Sequence, residues 1–167
     1  MYKKILSFGA VIAILDQIIK NIIVSNVAFA DSIKVIKNFF YITNINNTGA
    51  AFGILQDGGI IFIILSIIAL VGLIRYVIID KNIVKLEAIS YALVLGGILG
   101  NFIDRIMYGY IIDYLDFYFF GYNFPVFNLA DMCMVIGFMI IIFNMFISKG
   151  ETNEINISRR KKWYKNR

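Results

Sequence analysis

Two aspartates, 18 residues apart at the adjoining ends of the last two apolar stretches, are the residues best suited to carry out chemistry. Asp113 lies in an aromatic segment, and Asp131 lies at the beginning of the apolar stretch that follows. The chain has no histidine and one cysteine, Cys133, which excludes a Ser-His-Asp triad, a Cys-His pair and a zinc site built on those ligands. Two facing carboxylates without histidine or metal indicate an aspartic mechanism, in which an ionised carboxylate activates water and a protonated one polarises the scissile carbonyl. Spacing alone leaves open that they are separate loop carboxylates at a membrane interface.

The surroundings of the two aspartates suggest different starting charges. Asp131 follows Asn128, which is placed to cap a helix, and helix N-termini favour negative charge. Asp113 lies among aromatic and apolar residues, which disfavour its charged form. The hypothesis is that Asp131 starts ionised as the general base and Asp113 starts protonated as the acid.

Four more polar residues occur as pairs within apolar stretches. Asp16 and Lys20 are four residues apart, as are Asn101 and Arg105, so each pair shares a helix face. Ionisable groups at membrane depth are costly and need a reason. Asp16 and Lys20 either form a structural ion pair or organise a polar cavity through Asp16. Asn101 and Arg105 either hold a peptide carbonyl or carboxylate or form a polar helix end.

A turn rich in small residues follows an aromatic, β-branched stretch. Asn47 and Gly49 lie in the segment 46–52, where small side chains permit a tight turn and the close approach of another chain. An ordinary surface turn is the alternative. The preceding stretch, 37–45, favours a strand, and we expect a small sheet within 25–56 that lies on the membrane surface, where aromatic rings are favoured.

The elements that must position these residues are membrane helices. Of the 167 residues, 60% are hydrophobic and 16% are charged, far from the balance of a soluble domain. The fold class is therefore a mainly α membrane protein, with four transmembrane helices and a small β-element on the outer surface, in a single domain over 1–150. Glycines in the third helix permit close helix packing; they are Gly96, Gly97 and Gly100. The spans are predicted at about 5–24, 59–79, 86–106 and 126–148.

The distribution of basic residues predicts the orientation in a bacterial cell membrane. Most of the 16 lysines and arginines lie before the first span, between the second and third, or in the tail 151–167. Basic loops stay cytoplasmic, so both termini are predicted inside, with 25–56 and 107–125 outside. The basic tail is interpreted as a topology anchor facing anionic lipid, rather than as a nucleic-acid site.

The N-terminal stretch also has features of a cleaved signal peptide. Two lysines precede an apolar run, and Ala28-Phe29-Ala30 matches a cleavage pattern. The apolar run contains Asp16 and Lys20, however, whereas the core of a signal peptide is normally uncharged. The segment is therefore interpreted as the first span.

Taken in order, the polar segments resemble the lipoprotein signal peptidase (signal peptidase II) family. The resemblance runs from Asp16 to about Ser148 and rests on five motifs in order. These are Asp-Gln-Ile-Ile-Lys (16–20), Asn-Thr-Gly-Ala-Ala-Phe (47–52), Gly-Asn-Phe-Ile-Asp-Arg (100–105), Gly-Tyr-Ile-Ile-Asp-Tyr (109–114) and Phe-Asn-Leu-Ala-Asp (127–131).

The resemblance implies an aspartic endopeptidase that removes signal peptides from prolipoproteins, cutting before a cysteine that carries diacylglyceryl. It implies that Asp113 and Asp131 are the catalytic dyad, with supporting or substrate-binding residues around them. Those residues are Asp16, Lys20, Asn47, Gly49, Asn101, Arg105 and Asn128. A monomer that works without metal or cofactor, with lipidated prolipoproteins and membrane lipid as partners, is expected. A proton-coupled transporter and a non-enzymatic scaffold are the rival classes.

Overall fold

Four helices form the membrane part of the protein. The computed structural model describes residues 1–49 and 58–165, with side chains up to residue 147. The helices are α1 (Tyr2–Asn26), α2 (Gly59–Ile79), α3 (Lys85–Tyr108) and α4 (Leu129–Lys165). Each contains a stretch long and apolar enough to cross a bilayer, and in α4 that stretch is Leu129–Ile147. The four predicted spans are confirmed.

The last helix differs from its predicted bounds at both ends. It begins at Leu129 rather than near residue 126, and it continues to Lys165 rather than ending near residue 148. The only proline in the chain is Pro125, so no proline interrupts the polar segment that follows the span. The change from apolar to polar composition therefore marks the end of the spanning stretch but not the end of the helix.

A four-stranded antiparallel sheet lies at one end of the helices. Its strands are β1 (Ser32–Ile36), β2 (Phe40–Asn47), β3 (Ile111–Phe119) and β4 (Tyr122–Asn123), in that spatial order. β1 and β2 follow α1, whereas β3 and β4 lie between α3 and α4, so both strand pairs are at the same end of the bundle. We call this end the sheet side.

The sheet confirms one expectation and corrects its extent. A β-element within 25–56 was predicted, and β1 and β2 are there, although residues 50–56 lie outside the described part. The segment 107–125 was predicted only to lie outside, with no secondary structure assigned to it. It supplies the other two strands, because β3 pairs with β2 in a register that sets Asn47 opposite Ile111 and Tyr41 opposite Asp116.

The glycines of α3 allow this helix to pack closely against both α1 and α4. A side chain at Gly96 would collide with Ile12 of α1, and one at Gly97 would collide with Ala130 at the start of α4. The role predicted for these glycines is confirmed. In α2, by contrast, Val77 is the only residue classed as buried, so most of that helix faces lipid. The site is therefore built on α1, α3, α4 and the sheet.

Candidate active site

A buried lysine between two carboxylates lies at the centre of the bundle. Lys20 Nζ is 2.7 Å from Asp16 Oδ2 and 2.7 Å from Asp104 Oδ2. All three side chains are almost completely buried, where the charge of Lys20 requires a carboxylate partner. Of the two alternatives for Asp16 and Lys20, the structure shows the ion pair, and Asp104 is a second partner that sequence reasoning did not assign.

Asn101 links this charge cluster to Asp131. Its Oδ1 accepts a hydrogen bond from Lys20 Nζ at 2.9 Å, and its Nδ2 donates to Asp131 Oδ1 at 2.7 Å. Because Lys20 fixes the direction of the amide, the NH₂ group must point at the carboxylate. Asn101 thus orients a carboxylate, which is one of the roles predicted for it.

The N-terminus of α4 holds Asp131 from the other side. Asn128 Oδ1 accepts from the Asp131 backbone N–H at 2.9 Å, and Asp131 Oδ2 accepts from the Asn128 N–H at 3.2 Å. These reciprocal bonds form a capping box, which confirms that Asn128 caps the helix. Another backbone N–H group in the first turn of α4, that of Ala130, donates to Asp16 Oδ1 at 3.0 Å. The charge cluster therefore also anchors the start of α4.

Asp113 is held by two side-chain amides. Asn47 Nδ2 donates to its Oδ2 at 2.8 Å, and Asn128 Nδ2 donates to its Oδ1 at 2.7 Å. Burial, reinforced by the negative charge of Asp131, raises the pKa of Asp113 to about 7, despite these two hydrogen bonds. Asn128 contacts both aspartates: its Nδ2 donates to Asp113, and its Oδ1 and backbone N–H form the reciprocal bonds with Asp131.

Arg105 lies beside the turn after β2. Its guanidinium donates to the Gly49 carbonyl at 3.4 Å and lies 4.7 Å from the centroid of the Phe62 ring on α2. The predicted ability of Arg105 to hold a peptide carbonyl is realised here on a carbonyl of the chain itself. Asn47 Oδ1 accepts from the Gly49 N–H at 3.0 Å, so this turn positions Asn47 as well.

Both aspartates open onto one cavity of about 1090 Å³, which we call the dyad cavity. Six of the predicted site residues line it: Asn47, Gly49, Asn101, Arg105, Asp113 and Asp131. The other three, Asp16, Lys20 and Asn128, are buried behind it. Within residues 1–49 and 58–147, no group of three or more His, Cys, Asp or Glu side chains could hold a metal ion.

Sequence reasoning missed part of the site. Asp104 is not among the predicted site residues, yet it binds Lys20, Gln17 Nε2 at 2.7 Å and the Ile112 N–H at 3.1 Å. The signal was present, because Asp104 is an ionisable residue in an apolar helix and follows Asn101 by three positions. Phe124 and Phe127 also line the cavity; Phe127 begins the fifth motif but was not assigned to the site, and Phe124 lies outside the motifs.

Comparison with known proteins places this architecture in a family. Residues 8–147 match the family model described as signal peptidase (SPase) II. A lipoprotein signal peptidase of Bacillus pumilus is 37% identical over 92% of this chain and 98% of its own length. A lipoprotein signal peptidase of Staphylococcus aureus is 41% identical over 78% of this chain and 80% of its own.

Solved structures agree with the sequence matches. A bacterial membrane enzyme structure obtained by the in meso method at 2.3 Å resolution has a TM-score of 0.82 and 36% identity, over 89% of this chain and 91% of that one. Another, at 1.9 Å resolution, has a TM-score of 0.76 and 37% identity, over 86% and 92%. With the family model, the relatives and the fold in agreement, this chain belongs to the signal peptidase II family and is a membrane protease.

Proposed function

We propose that this protein is an aspartic endopeptidase that removes signal peptides from diacylglyceryl-modified prolipoproteins. Cleavage falls immediately before the lipidated cysteine, and Asp113 and Asp131 activate the attacking water. The substrate class is supported by the names of the relatives, which are lipoprotein signal peptidases. The cleavage position comes from the resemblance in the sequence motifs.

The observation that carries the aspartic assignment is the pair of carboxylates in one cavity. Asp113 and Asp131 come from different elements, β3 and α4, yet both line the dyad cavity. The pKa of Asp113, raised to about 7, lets it hold a proton near neutral pH. Asp131 accepts hydrogen bonds from Asn101 and Asn128, which orient both of its oxygens. Two carboxylates with one proton between them are the requirement of an aspartic mechanism.

Hydrolysis then proceeds in two proton-balanced steps. In the first, Asp131 takes a proton from water, the hydroxide oxygen bonds to the scissile carbonyl carbon, and Asp113 gives its proton to the carbonyl oxygen. In the second, Asp131 gives its proton to the amide nitrogen, the C–N bond breaks, and Asp113 recovers a proton from one hydroxyl of the intermediate. The products are a carboxylic acid and an amine, and both aspartates return to their starting states.

The shape of the cavity supports a substrate that arrives through the bilayer. The lining continues from Asp131 along α4 to Val135 and Phe138, whose side chains are 58% and 50% exposed. These residues lie in the spanning part of α4, where the solvent is lipid. An apolar signal helix can therefore reach the dyad sideways, while its cleavage site stays at the sheet side.

A cleavage assay with purified protein tests the proposal. Full-length protein in detergent is incubated with a diacylglyceryl-modified prolipoprotein and, separately, with the unlipidated precursor, and the products are identified by mass spectrometry. We expect cleavage before the modified cysteine and very slow cleavage without lipid, since each buried methylene contributes about 0.8 kcal/mol. Chelation by EDTA should leave the rate unchanged.

Three results would contradict different parts of the proposal. Equal cleavage of both precursors would remove the requirement for lipid. Loss of activity with EDTA, restored by a metal ion, would overturn the aspartic assignment. Cleavage after the cysteine would overturn the proposed position.

A further inference from the structure

A second cavity lies on the sheet, away from the dyad. It has a volume of about 580 Å³ and is lined by Ser32, Asn38, Tyr41, Asp116, Tyr118 and Gly121. We call it the tyrosine cavity. It shares no lining residue with the dyad cavity. Asp113 and Asp116 are three positions apart in β3, so their side chains point to opposite faces of the sheet.

Asp116 is the chemically distinctive group of this cavity. Its side chain is only 6% exposed, and it lines the cavity together with Tyr118. Its Oδ1 has no hydrogen-bond partner among the described residues. A buried carboxylate oxygen without a donor is costly, so the position favours a ligand that brings a positively charged donor.

The walls of the cavity suit a cation. Tyr41 lies opposite Asp116 in the β2–β3 register, and its ring meets that of Tyr118 at 5.3 Å between centroids in an edge arrangement. Aromatic faces attract ammonium groups. No lysine or arginine in the described side chains lies within ion-pair distance of Asp116. A protonated amine can therefore bond to the carboxylate and pack against a ring.

Two positively charged lysines, Lys34 and Lys37, lie next to the cavity that contains the negatively charged Asp116. Lys34 is opposite Tyr41 in the β1–β2 register, so Lys34, Tyr41 and Asp116 form one row across three strands on the same face. Lys37 directly precedes Asn38, and both lysines are exposed. Lys34 and Asp116 are separated by two strand spacings, roughly 10 Å. A ligand that bridges the row needs an anion near the lysines and an ammonium at Asp116.

We propose that the tyrosine cavity binds the zwitterionic headgroup of an aminophospholipid, with its ammonium on Asp116 and its phosphate on Lys34 and Lys37. The location favours a lipid, because the sheet lies at the end of four membrane spans. The volume lies within the range of small-ligand sites and exceeds what a lone ammonium ion requires. The site also gives Lys34 and Lys37 a role on the side of the membrane where basic residues are not expected.

Titration with short-chain lipids tests the site. Full-length protein in detergent is titrated with dihexanoyl phosphatidylethanolamine, phosphatidylcholine or phosphatidylglycerol. The fraction of protein that carries a bound lipid is measured by native mass spectrometry. We expect phosphatidylethanolamine to bind about tenfold more tightly than phosphatidylcholine, because a quaternary ammonium has no N–H to donate to the carboxylate. Asp116→Asn should remove this preference. The matched control Asp31→Asn, which changes an exposed acid next to β1, should retain it.

A second variant does not depend on a buried substitution. Lys34→Gln changes an exposed side chain and should weaken binding of all three lipids, because all three carry the phosphate. Equal binding of all three lipids by the wild-type protein, or an unchanged preference in Asp116→Asn, would overturn the proposal. A third result would also overturn it. If the wild-type protein shows no preference among the lipids and Asp116→Asn raises the KM for the prolipoprotein, the cavity binds the substrate instead.

The lipid site and the peptidase can fail independently. Asp116 does not line the dyad cavity, so Asp116→Asn should cleave prolipoprotein at the wild-type rate in detergent free of phosphatidylethanolamine. Loss of headgroup selectivity with normal cleavage is therefore the expected combination. If the wild-type protein prefers phosphatidylethanolamine but does not cleave prolipoprotein, the proposed peptidase function is wrong and the lipid site stands.

Discussion

At the scale of single residues, the two aspartates differ in how the chain holds them. Asp113 is buried in β3 and accepts hydrogen bonds from two side-chain amides. Asp131 belongs to a helix N-terminus and accepts from one amide and one backbone N–H. Amide replacements preserve shape while removing the acid–base chemistry. Asparagine is therefore the substitution that best separates loss of catalysis from loss of structure at both positions.

We expect Asp113→Asn and Asp131→Asn each to reduce cleavage to the background rate. Neither carboxylate can be replaced by the other, because one supplies a proton while the other removes one. Asp31→Asn, which changes an exposed acid outside the dyad cavity, is the control and should cleave normally. Thermal melting followed by circular dichroism checks that the variants remain folded. Near-normal cleavage by a folded Asp113→Asn protein would exclude the proposed dyad.

The pH dependence of kcat/KM tests the order of the two charges. Burial and the Asp131 charge raise the pKa of Asp113 to about 7. Since Asp113 must be protonated at the start, activity is present below this pKa and is lost above it, about tenfold for each pH unit. At low pH, kcat/KM should also fall, because the proposed base Asp131 becomes protonated. A kcat/KM that continues to rise from pH 7 to pH 9 would exclude Asp113 as the starting acid.

Asp104 is the residue whose importance the structure changes most. Asp104 lies in the third motif, but it is neither in the predicted dyad nor among the seven predicted supporting residues. The structure shows that it compensates Lys20 deep in the bundle. Asp104→Asn should therefore destabilise the fold by about 3 kcal/mol, measured by chemical unfolding in detergent. If the two residues act as a pair, the combined Lys20→Met and Asp104→Asn variant should lose less stability than the sum of the single changes.

At the scale of elements, the contact between α3 and α4 places Asp131. Gly97 lies against Ala130, the residue before Asp131, and an added Cβ there would collide with the Ala130 carbonyl and Met134. A shift of the two helices would move the carboxylate away from Asn101. Small displacements of a catalytic group can cost about a hundredfold in rate.

We therefore expect Gly97→Ala to lower both the melting temperature and the cleavage rate. Gly72→Ala on α2 is the matched control, because nothing lies within 4 Å of its added Cβ and alanine is the better helix former. It should melt at or slightly above the wild-type temperature and cleave normally. If Gly97→Ala behaves like Gly72→Ala, the close contact does not position Asp131.

The elements also show how far the sequence could be interpreted. The four spans could be predicted because length and hydropathy are local properties. The β3 strand could not, because its aromatic residues suit a membrane interface as well as a strand, and only pairing with β2 decides between them. The Asp16–Lys20 pair follows from helical spacing, whereas the contact between Lys20 and Asp104 joins two helices and has no periodic signature. Motif order identified six site residues that line one cavity, but gave no role to the aromatic residues Phe124 and Phe127 that line it as well.

At the scale of the whole molecule, the dyad and the sheet share one side of the membrane. β1 and β2 follow α1, and β3 and β4 precede α4, so the sheet and the start of α4 are at the same end of the bundle. The connection between α2 and α3 is at the opposite end, with Lys81 and Lys85. The basic tail follows the last span and emerges on that same opposite side. We propose that the sheet side faces outward and that both termini are cytoplasmic.

Labelling of single cysteines with a membrane-impermeant maleimide tests this orientation, in a background where Cys133→Ala removes the native thiol. Phe120→Cys, in the exposed turn between β3 and β4, should react in intact cells. Asn82→Cys, between α2 and α3, is also exposed but should react only after the membrane is made permeable. The reason is the positive-inside rule, which retains the lysines beside Asn82 in the cytoplasm. Labelling of Asn82→Cys but not Phe120→Cys in intact cells would invert the molecule and place the dyad on the cytoplasmic side.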